Sequence, residues 1–291
     1  MYLLLLSFKN TLFYQMYTIN CKGKLLVLDK PIVMGIINAT TDSFFEGHLT
    51  KGIAEITALA GKMITDGAVI VDVGGQSTRP GSRKIGVDEE TARVIPVIEA
   101  IKNAHPDALI SIDTFYSEVA KIAVDAGASI VNDISGGQFD ETMLTTVAAL
   151  KVPYICMHTK GLPATMQQNP QYENVVKEVL DYFIKKIEDC KQAGIHDVII
   201  DPGFGFGKTI AHNFKILQSL NIFSMLEKPI LAGLSRKSTI YKTLGTTVEN
   251  ALNGTTVLNT IALMNGASIL RVHDVKEAVE AVTLYEAYNR I

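Results

Sequence analysis

Polar side chains recur at the ends of short apolar runs along this chain. Asn38 closes PIVMGIIN, Asp72 sits in VIVDVGG and Asp113 ends LISID. Asn132 and Asp133 follow SIV, Met157 and His158 end VPYICMH, and Asp201 ends DVIID. Ser235 and Lys237 follow PILAGL, and Arg271 and His273 lie in SILRVHD. A single Asp or Asn in such a place is most simply a residue that caps the next helix or pins a loop. The whole set is harder to explain that way, because gathered polar groups cost free energy unless a ligand or water uses them. Its composition describes the ligand. Carboxylates and amides hold a polar heterocycle through paired hydrogen bonds, while Lys, Arg and His hold phosphate.

The stretch DPGFGFGKT at 201–209 invites another reading, a nucleotide phosphate loop. That loop needs a Gly, four residues and then Gly-Lys-Ser/Thr, so that successive backbone N–H groups wrap the phosphates. Counted back from Gly207, the required Gly falls on Pro202, which has no N–H to give. Lys208 is therefore not expected to be a triphosphate lysine. No element has the look of a covalent nucleophile either; Cys156, beside Met157 and His158, reads as core.

These side chains can meet only if the runs that carry them belong to one sheet. From Tyr17, YTINCKGKLLVLD reads as a hairpin about a Lys-Gly turn. Apolar strands then alternate with helical segments: PIVMGIIN, VIVDVGG, LISIDT, SIVNDI, VPYICMH, DVIIDPG, PILAGLS and SILRVHD are the strands. The first helical segment, GIAEITALAGKMITDGA, puts Ile53, Ile56, Ala60, Met63 and Ile64 on one face and stops at a Gly. Later helical segments include HNFKILQSL, STIYKTLG and VKEAVEAVTLYEAYNR. Strand–helix units repeated in this way predict an α/β fold, a (β/α)8 TIM barrel with a short N-terminal β-hairpin. An open doubly wound sheet is the alternative, and the absence of a Gly-rich dinucleotide turn after the first strand speaks against it. In a barrel the C-terminal strand ends form the active site, where the polar set falls.

Composition narrows the partners. Of 291 residues, 27 are basic and 30 acidic, a net charge of −3 that argues against a nucleic-acid-binding surface. Cys21, Cys156 and Cys190 share no metal-type spacing and read as free thiols of a reducing cytoplasm. The opening MYLLLLSFKN is too short to span a bilayer and lacks a basic n-region and a cleavage site, so no membrane association is expected. A second MY at Met16–Tyr17 opens a better-patterned segment. Residues 1–16 are accordingly expected to be a disordered or extraneous extension, and 17–291 a single domain.

The motifs MGIINATTDSF, VDVGGQSTRPGS, ISIDTF, VNDISGG, YICMHTKGLPATMQ, IDPGFGFGK, GLSRKS and ILRVHDVKE resemble, in order and spacing, those of the dihydropteroate synthase family. The likeness runs from about residue 17 to the C-terminus. It implies a pterin-binding barrel that joins 6-hydroxymethyl-7,8-dihydropterin diphosphate to 4-aminobenzoate and releases pyrophosphate with Mg²⁺. By the same resemblance Asp113, Asn132, Asp201 and Lys237 hold the pterin, with Met157 and Val272 beside it. Thr78, Arg271 and His273 take the diphosphate, and Asn38 ligates Mg²⁺. Arg79, Phe206 and Ser238 form the 4-aminobenzoate site. Asp113, Asp201, Lys237, Arg271 and His273 are the catalytic set. For Arg271, an ion pair with Asp274 is the plainer alternative. The family also implies a cytoplasmic homodimer, paired through late helices, that sulfonamides target.

Two positions depart from the family pattern. Thr41 stands where a Pro is usual in the first loop, and Gln76 stands where a Glu is usual in the second. Loosening a loop alters its closure without deleting a chemical group, so activity is expected to survive. The competing readings are a pterin-binding methyltransferase domain and an inactive paralogue that only binds pterin. Neither has a use for STRPG, SRKS and RVHD together as a phosphate site.

Overall fold

The computed structural model of the protein describes residues 15–39, 49–76, 83–162 and 165–290. Tyr17–Cys21 (β1) and Lys24–Leu28 (β2) form the expected antiparallel hairpin. A parallel barrel follows. Its strands are Ile32–Asn38 (β3), Ile70–Gly74 (β4), Leu109–Asp113 (β5), Ile130–Asp133 (β6), Tyr154–Met157 (β7), Val198–Asp201 (β8), Leu231–Ala232 (β9) and Ile269–Val272 (β10). They run in the order β8-β7-β6-β5-β4-β3-β10-β9, and a parallel bridge from Ile200 to Ile230 closes the ring.

The side chains explain the closure. Strands wrapped inside helices are buried on both faces, so β4, β6, β7 and β8 are buried along their whole length. Alternation sorts the two faces. One inward layer takes a residue from each strand: Met34, Ile70, Leu109, Ile130, Ile155, Ile199, Leu231 and Ile269. Ile19, Cys21, Leu26 and Leu28 of the hairpin pack against this layer and plug the N-terminal end. Outward residues such as Val71, Ile110, Val131, Cys156 and Ile200 join the helices in a second, larger core.

The helices follow the predicted segments with physical adjustments at their ends. They are Leu49–Thr65 (α1), Val87–Ala104 (α2), Ser117–Ala126 (α3), Met143–Leu150 (α4), Val175–Ala193 (α5), Ile210–Gln218 (α6), Ser238–Leu244 (α7), Leu252–Met264 (α8) and Val275–Asn289 (α9). α5 starts at Val175 because the Asn174 side chain caps it, accepting from the Lys177 N–H. α6 starts after Thr209, whose side chain and that of His212 form a reciprocal cap. Leu220–Leu226 adds a 3-10 turn that the sequence did not announce. The seventh barrel strand is shorter than PILAGLS, because after Ala232 the chain turns away, with the Lys237 N–H donating to the Leu234 carbonyl at 3.2 Å. Of the expected extension, residues 1–14 lie outside the described residues.

Candidate active site

Two residues beyond the apolar layer, the same inward parity carries polar groups to the C-terminal mouth. β4 brings Asp72, β5 Ser111 and then Asp113, β6 Asn132, β7 Met157, β8 Asp201 and β10 Arg271. Arg271 bridges this ring. Its Nε donates to Asp72 Oδ2 at 2.6 Å and its Nη2 to Asp113 Oδ2 at 2.6 Å. Asn132 Nδ2 donates to the same Asp72 oxygen at 3.0 Å, while Asp72 Oδ1, also buried, has no hydrogen-bond partner.

One guanidinium is shared between two carboxylates, and it acts on the charge of Asp113. Burial pushes Asp113 up to about 7, against the pull of Arg271 and with the help of Asp72. Burial alone would lower Arg271, but Asp72 and Asp113 outweigh it and raise it further. Across the mouth, burial raises Asp201 and lowers Lys237 to about 8, each partly restored by the other. A methyl at Gly233 would stand 3.8 Å from Lys237 Nζ and 3.9 Å from Asp201 Oδ2, so the absent side chain leaves room between the pair.

An apolar wall adjoins the charges. Phe115, Ile134 and Met157 are buried together, with Phe139, Tyr116 and Phe206 packed against them. Lys237 Nζ lies 4.8 Å from the Phe206 ring centroid and donates to the Phe204 carbonyl. A flat ring beside an ammonium, on the edge of a polar ring, can take an aromatic ligand with an anionic end.

The surrounding loops are clasped by their own side chains. Ser235 Oγ sits 2.9 Å from His273 Nδ1 and accepts from the His273 N–H at 3.1 Å, joining the loops after β9 and β10. Beside them Arg236 binds Asp274 through two bonds of 2.8 Å. At the start of the second loop Gln76 donates to the Arg83 carbonyl and accepts from the Ile85 N–H, both at 3.2 Å.

Residues 34–273 match the family model described as pterin binding enzyme. The dihydropteroate synthase of Escherichia coli K12 is 44% identical over 91% of this chain and 94% of its own length. The chain belongs to the dihydropteroate synthase family. It is thus an enzyme, a transferase. Two Xanthomonas albilineans dihydropteroate synthase structures superpose on 94% of it. One, with 4-aminobenzoic acid, has a TM-score of 0.87 at 39% identity and is covered to 98%. The other, in complex with 7,8-dihydropteroate, has a TM-score of 0.85 at 37% identity and is covered completely, 100%.

Within this dihydropteroate synthase frame, the barrel brings Asp113, Asn132, Met157, Asp201, Lys237 and Arg271 together at one mouth. Ser238 opens α7 next to Lys237, and His273 lies exposed beyond β10. Asn38 ends β3 on the exposed rim, paired in register with Gly74. Val272 does not line the mouth with its side chain: it has the outward parity and is buried in the core under the helices. The Arg271–Asp274 pair is not formed; Asp274 serves Arg236, and Arg271 turns inward to Asp72 and Asp113. Thr78, Arg79 and Thr41 lie outside the described residues.

Asp133 is a loop brace rather than a ligand group. It accepts from Tyr154 OH, the Ser135 N–H and the Gly137 N–H, each at 2.7 Å. Sequence reasoning left Asp72 without a role, and the structure makes it the acceptor shared by Arg271 and Asn132. It also passed over Phe115, which directly follows SIDT, and Glu90. The signal for Glu90 was present: Val94 and Val97, at helical spacing from it, are buried on the same face of α2.

Proposed function

We propose that this mouth joins 6-hydroxymethyl-7,8-dihydropterin diphosphate to 4-aminobenzoate, giving 7,8-dihydropteroate and pyrophosphate. The single observation that carries the residue roles is the inward layer of Asp113, Asn132 and Asp201 with Arg271 and Lys237 at its edge. Acceptors and an amide donor side by side match the alternating edge of an amino-pyrimidinone. Arg271 then exchanges a carboxylate for the diphosphate, which His273 and, by the family resemblance, Thr78 also bind. The 4-aminobenzoate ring lies along Phe206, with Ser238 toward its carboxylate and Arg79 assigned to the same substrate by the family resemblance alone.

The reaction is a dissociative substitution. The methylene C–O bond breaks and its electron pair leaves with pyrophosphate, whose charge Arg271 and His273 offset. The pterin ring and the Asp113 carboxylate stabilise the cationic methylene. The amine nitrogen of 4-aminobenzoate then forms the new C–N bond with its lone pair and releases one proton to pyrophosphate or water. Lys237, between Asp201 and the Phe206 ring, orients both substrates.

Mg²⁺ is the implied metal. Among the described residues no cluster of acidic, His or Cys side chains could hold it alone. A single exposed amide oxygen, that of Asn38, suits an ion that keeps most of its shell as water and phosphate. When bound, it would neutralise charge on the leaving pyrophosphate.

We further propose a cytoplasmic homodimer. Three cysteines, all free and buried, fit a reducing compartment, and among the described residues no helix is long and apolar enough to cross a membrane. Exposed Val257, Ile261 and Met264 of α8 and Leu284 and Tyr288 of α9 give the late helices an apolar face fit for self-association.

The test measures pyrophosphate release from the pterin diphosphate with Mg²⁺, with and without 4-aminobenzoate, and follows dihydropteroate by chromatography. Release coupled to dihydropteroate is expected. Pterin binding without product under any condition would overturn the assignment in favour of a binding-only paralogue.

A further inference from the structure

Lys208 gives DPGFGFGKT its likeness to a phosphate loop, yet it is 2% exposed and faces inward. Its Nζ stands 3.0 Å from the Gly203 carbonyl oxygen, 3.0 Å from that of Phe206, 3.3 Å from that of His158 and 2.9 Å from His158 Nδ1. A lysine Nζ carries two or three protons, and the four acceptors around it suffice for either state. Burial lowers its pKa well below the lysine range, with Asp201 acting the other way. Burial and then Lys208 hold the His158 imidazole well below its usual value, so its ring is neutral and Nδ1 can accept.

The acceptors come from two loops, the one after β7 and the one after β8. These loops touch backbone to backbone. A methyl at Gly203 (φ +69°) would stand 2.0 Å from the His158 carbonyl oxygen, and one at Gly207 (φ +62°) would stand 2.3 Å from that of Lys160. No side chain fits in that seam. Gln167 Nε2 and Tyr172 OH reach across beside it to the Gly205 and Gly207 carbonyls, and Lys208 joins its walls from the buried side. The Phe206 N–H also donates to the Gly203 carbonyl at 3.1 Å, so the two loop carbonyls held by Lys208 belong to one tight turn. That turn carries the Phe206 ring, and Asp201 lies at its root, accepting from the Gly203 N–H at 2.7 Å.

We propose that Lys208 is a positioning residue for the 4-aminobenzoate pocket: its Nζ fastens the turn 203–206 to the loop after β7 and so fixes where the Phe206 ring stands. This rests on the reading that Phe206 lines that pocket. Asp201 is anchored on a strand, so the pterin side depends on the lysine far less.

Steady-state kinetics of full-chain variants, varying each substrate separately, tests both points. Phe206→Ala examines the pocket by itself. A rise of about tenfold in KM for 4-aminobenzoate upholds the reading, and an unchanged KM removes it whatever Lys208 does. With the pocket upheld, Lys208→Met is expected to raise that KM about tenfold or more while KM for the pterin diphosphate moves less than about threefold. Lys208→Gln, which keeps two donors, should fall between parent and Met. An unchanged 4-aminobenzoate KM overturns the proposal, and so does an equal rise for both substrates, the mark of general loosening. Should Lys208→Met not fold, His158→Leu keeps the lysine and removes one cross-loop acceptor. A selective rise of about threefold is then expected, and no selective rise overturns the proposal.

Discussion

The two ends of the barrel are built on the same strands with the same inward parity, and they could hardly differ more. At the base, Met34, Ile70, Leu109, Ile130, Ile155, Ile199, Leu231 and Ile269 meet in a layer without charge, sealed by the hairpin. Two residues further on, about 7 Å along each strand, the layer is Asp72, Asn132, Asp201 and Arg271. Among the described residues, the apolar cluster of the base includes the ionisable Cys21 and the half-buried Tyr17 beside it, and burial, with Asp197 acting the same way, pushes Cys21 up to about 12, so it stays neutral. At the mouth, by contrast, Asp72, Asp113 and Asn132 all depend on Arg271 or on a shared oxygen for their partners. The base is packing that asks nothing of a ligand. The mouth keeps buried charge that a ligand can take over, and this division is what lets one fold combine stability with chemistry.

The largest effect that should separate the ends is at Arg271. Arg271→Gln removes the cation from the candidate diphosphate site and leaves two buried carboxylates facing each other. A fall in kcat/KM of about 10³-fold is expected, roughly 4 kcal/mol of transition-state stabilisation. Its stability should be nearest the parent's at pH 5, where Asp113 can hold a proton, and fall further behind toward pH 8 as Asp113 ionises without its guanidinium partner. A variant within tenfold of the parent in kcat/KM would break the division. Leu28→Ala probes the other end. Leu28 is fully buried in the plug, and its truncation should cost about 2–5 kcal/mol in denaturant unfolding. In the folded enzyme kcat/KM should stay within about twofold of the parent's. Activity falling in step with stability would show that base and mouth are not independent.

The base was the more legible of the two in the sequence. Continuous β-branched runs and amphipathic helices are local patterns, and they gave the hairpin, the eight strands and the barrel. The polar set was legible as a set, since each member ends a strand. Partnerships were not. Which carboxylate Arg271 meets depends on barrel closure, which sets β10 beside β3 and turns Arg271 inward, while the chain neighbour Asp274 is taken by Arg236. Strand ends were equally ambiguous for Asp133 and Val272: alternation decides the face, and the register that fixes it appears only when the sheet closes. Pro202 alone argues against a phosphate role for Lys208, but its seat among four acceptors is visible only with two loops in contact.

The smallest of these effects lies behind the mouth, at Glu90. Its side chain is fully buried on α2 against Gly75, where a methyl would stand 3.1 Å from Glu90 Cγ. Neither carboxylate oxygen makes a hydrogen bond of ordinary geometry. Burial pushes it from 4.5 up to about 7, against Thr114, Arg93 and Lys84, which favour the ionised form. Between those two values the folded chain holds a proton that the unfolded chain has released, so stability falls as pH rises through this window. The full span is on the order of 3 kcal/mol. Glu90→Gln removes this titration, and the slope of the urea midpoint between pH 4.5 and 7 should flatten in the variant. It should not vanish, because burial also raises Asp113, Asp133 and Asp201 on the same side of the molecule. A slope identical to the parent's would mean that Glu90 ionises freely in the folded state, and that the charge carried by the mouth costs the fold less than its burial implies.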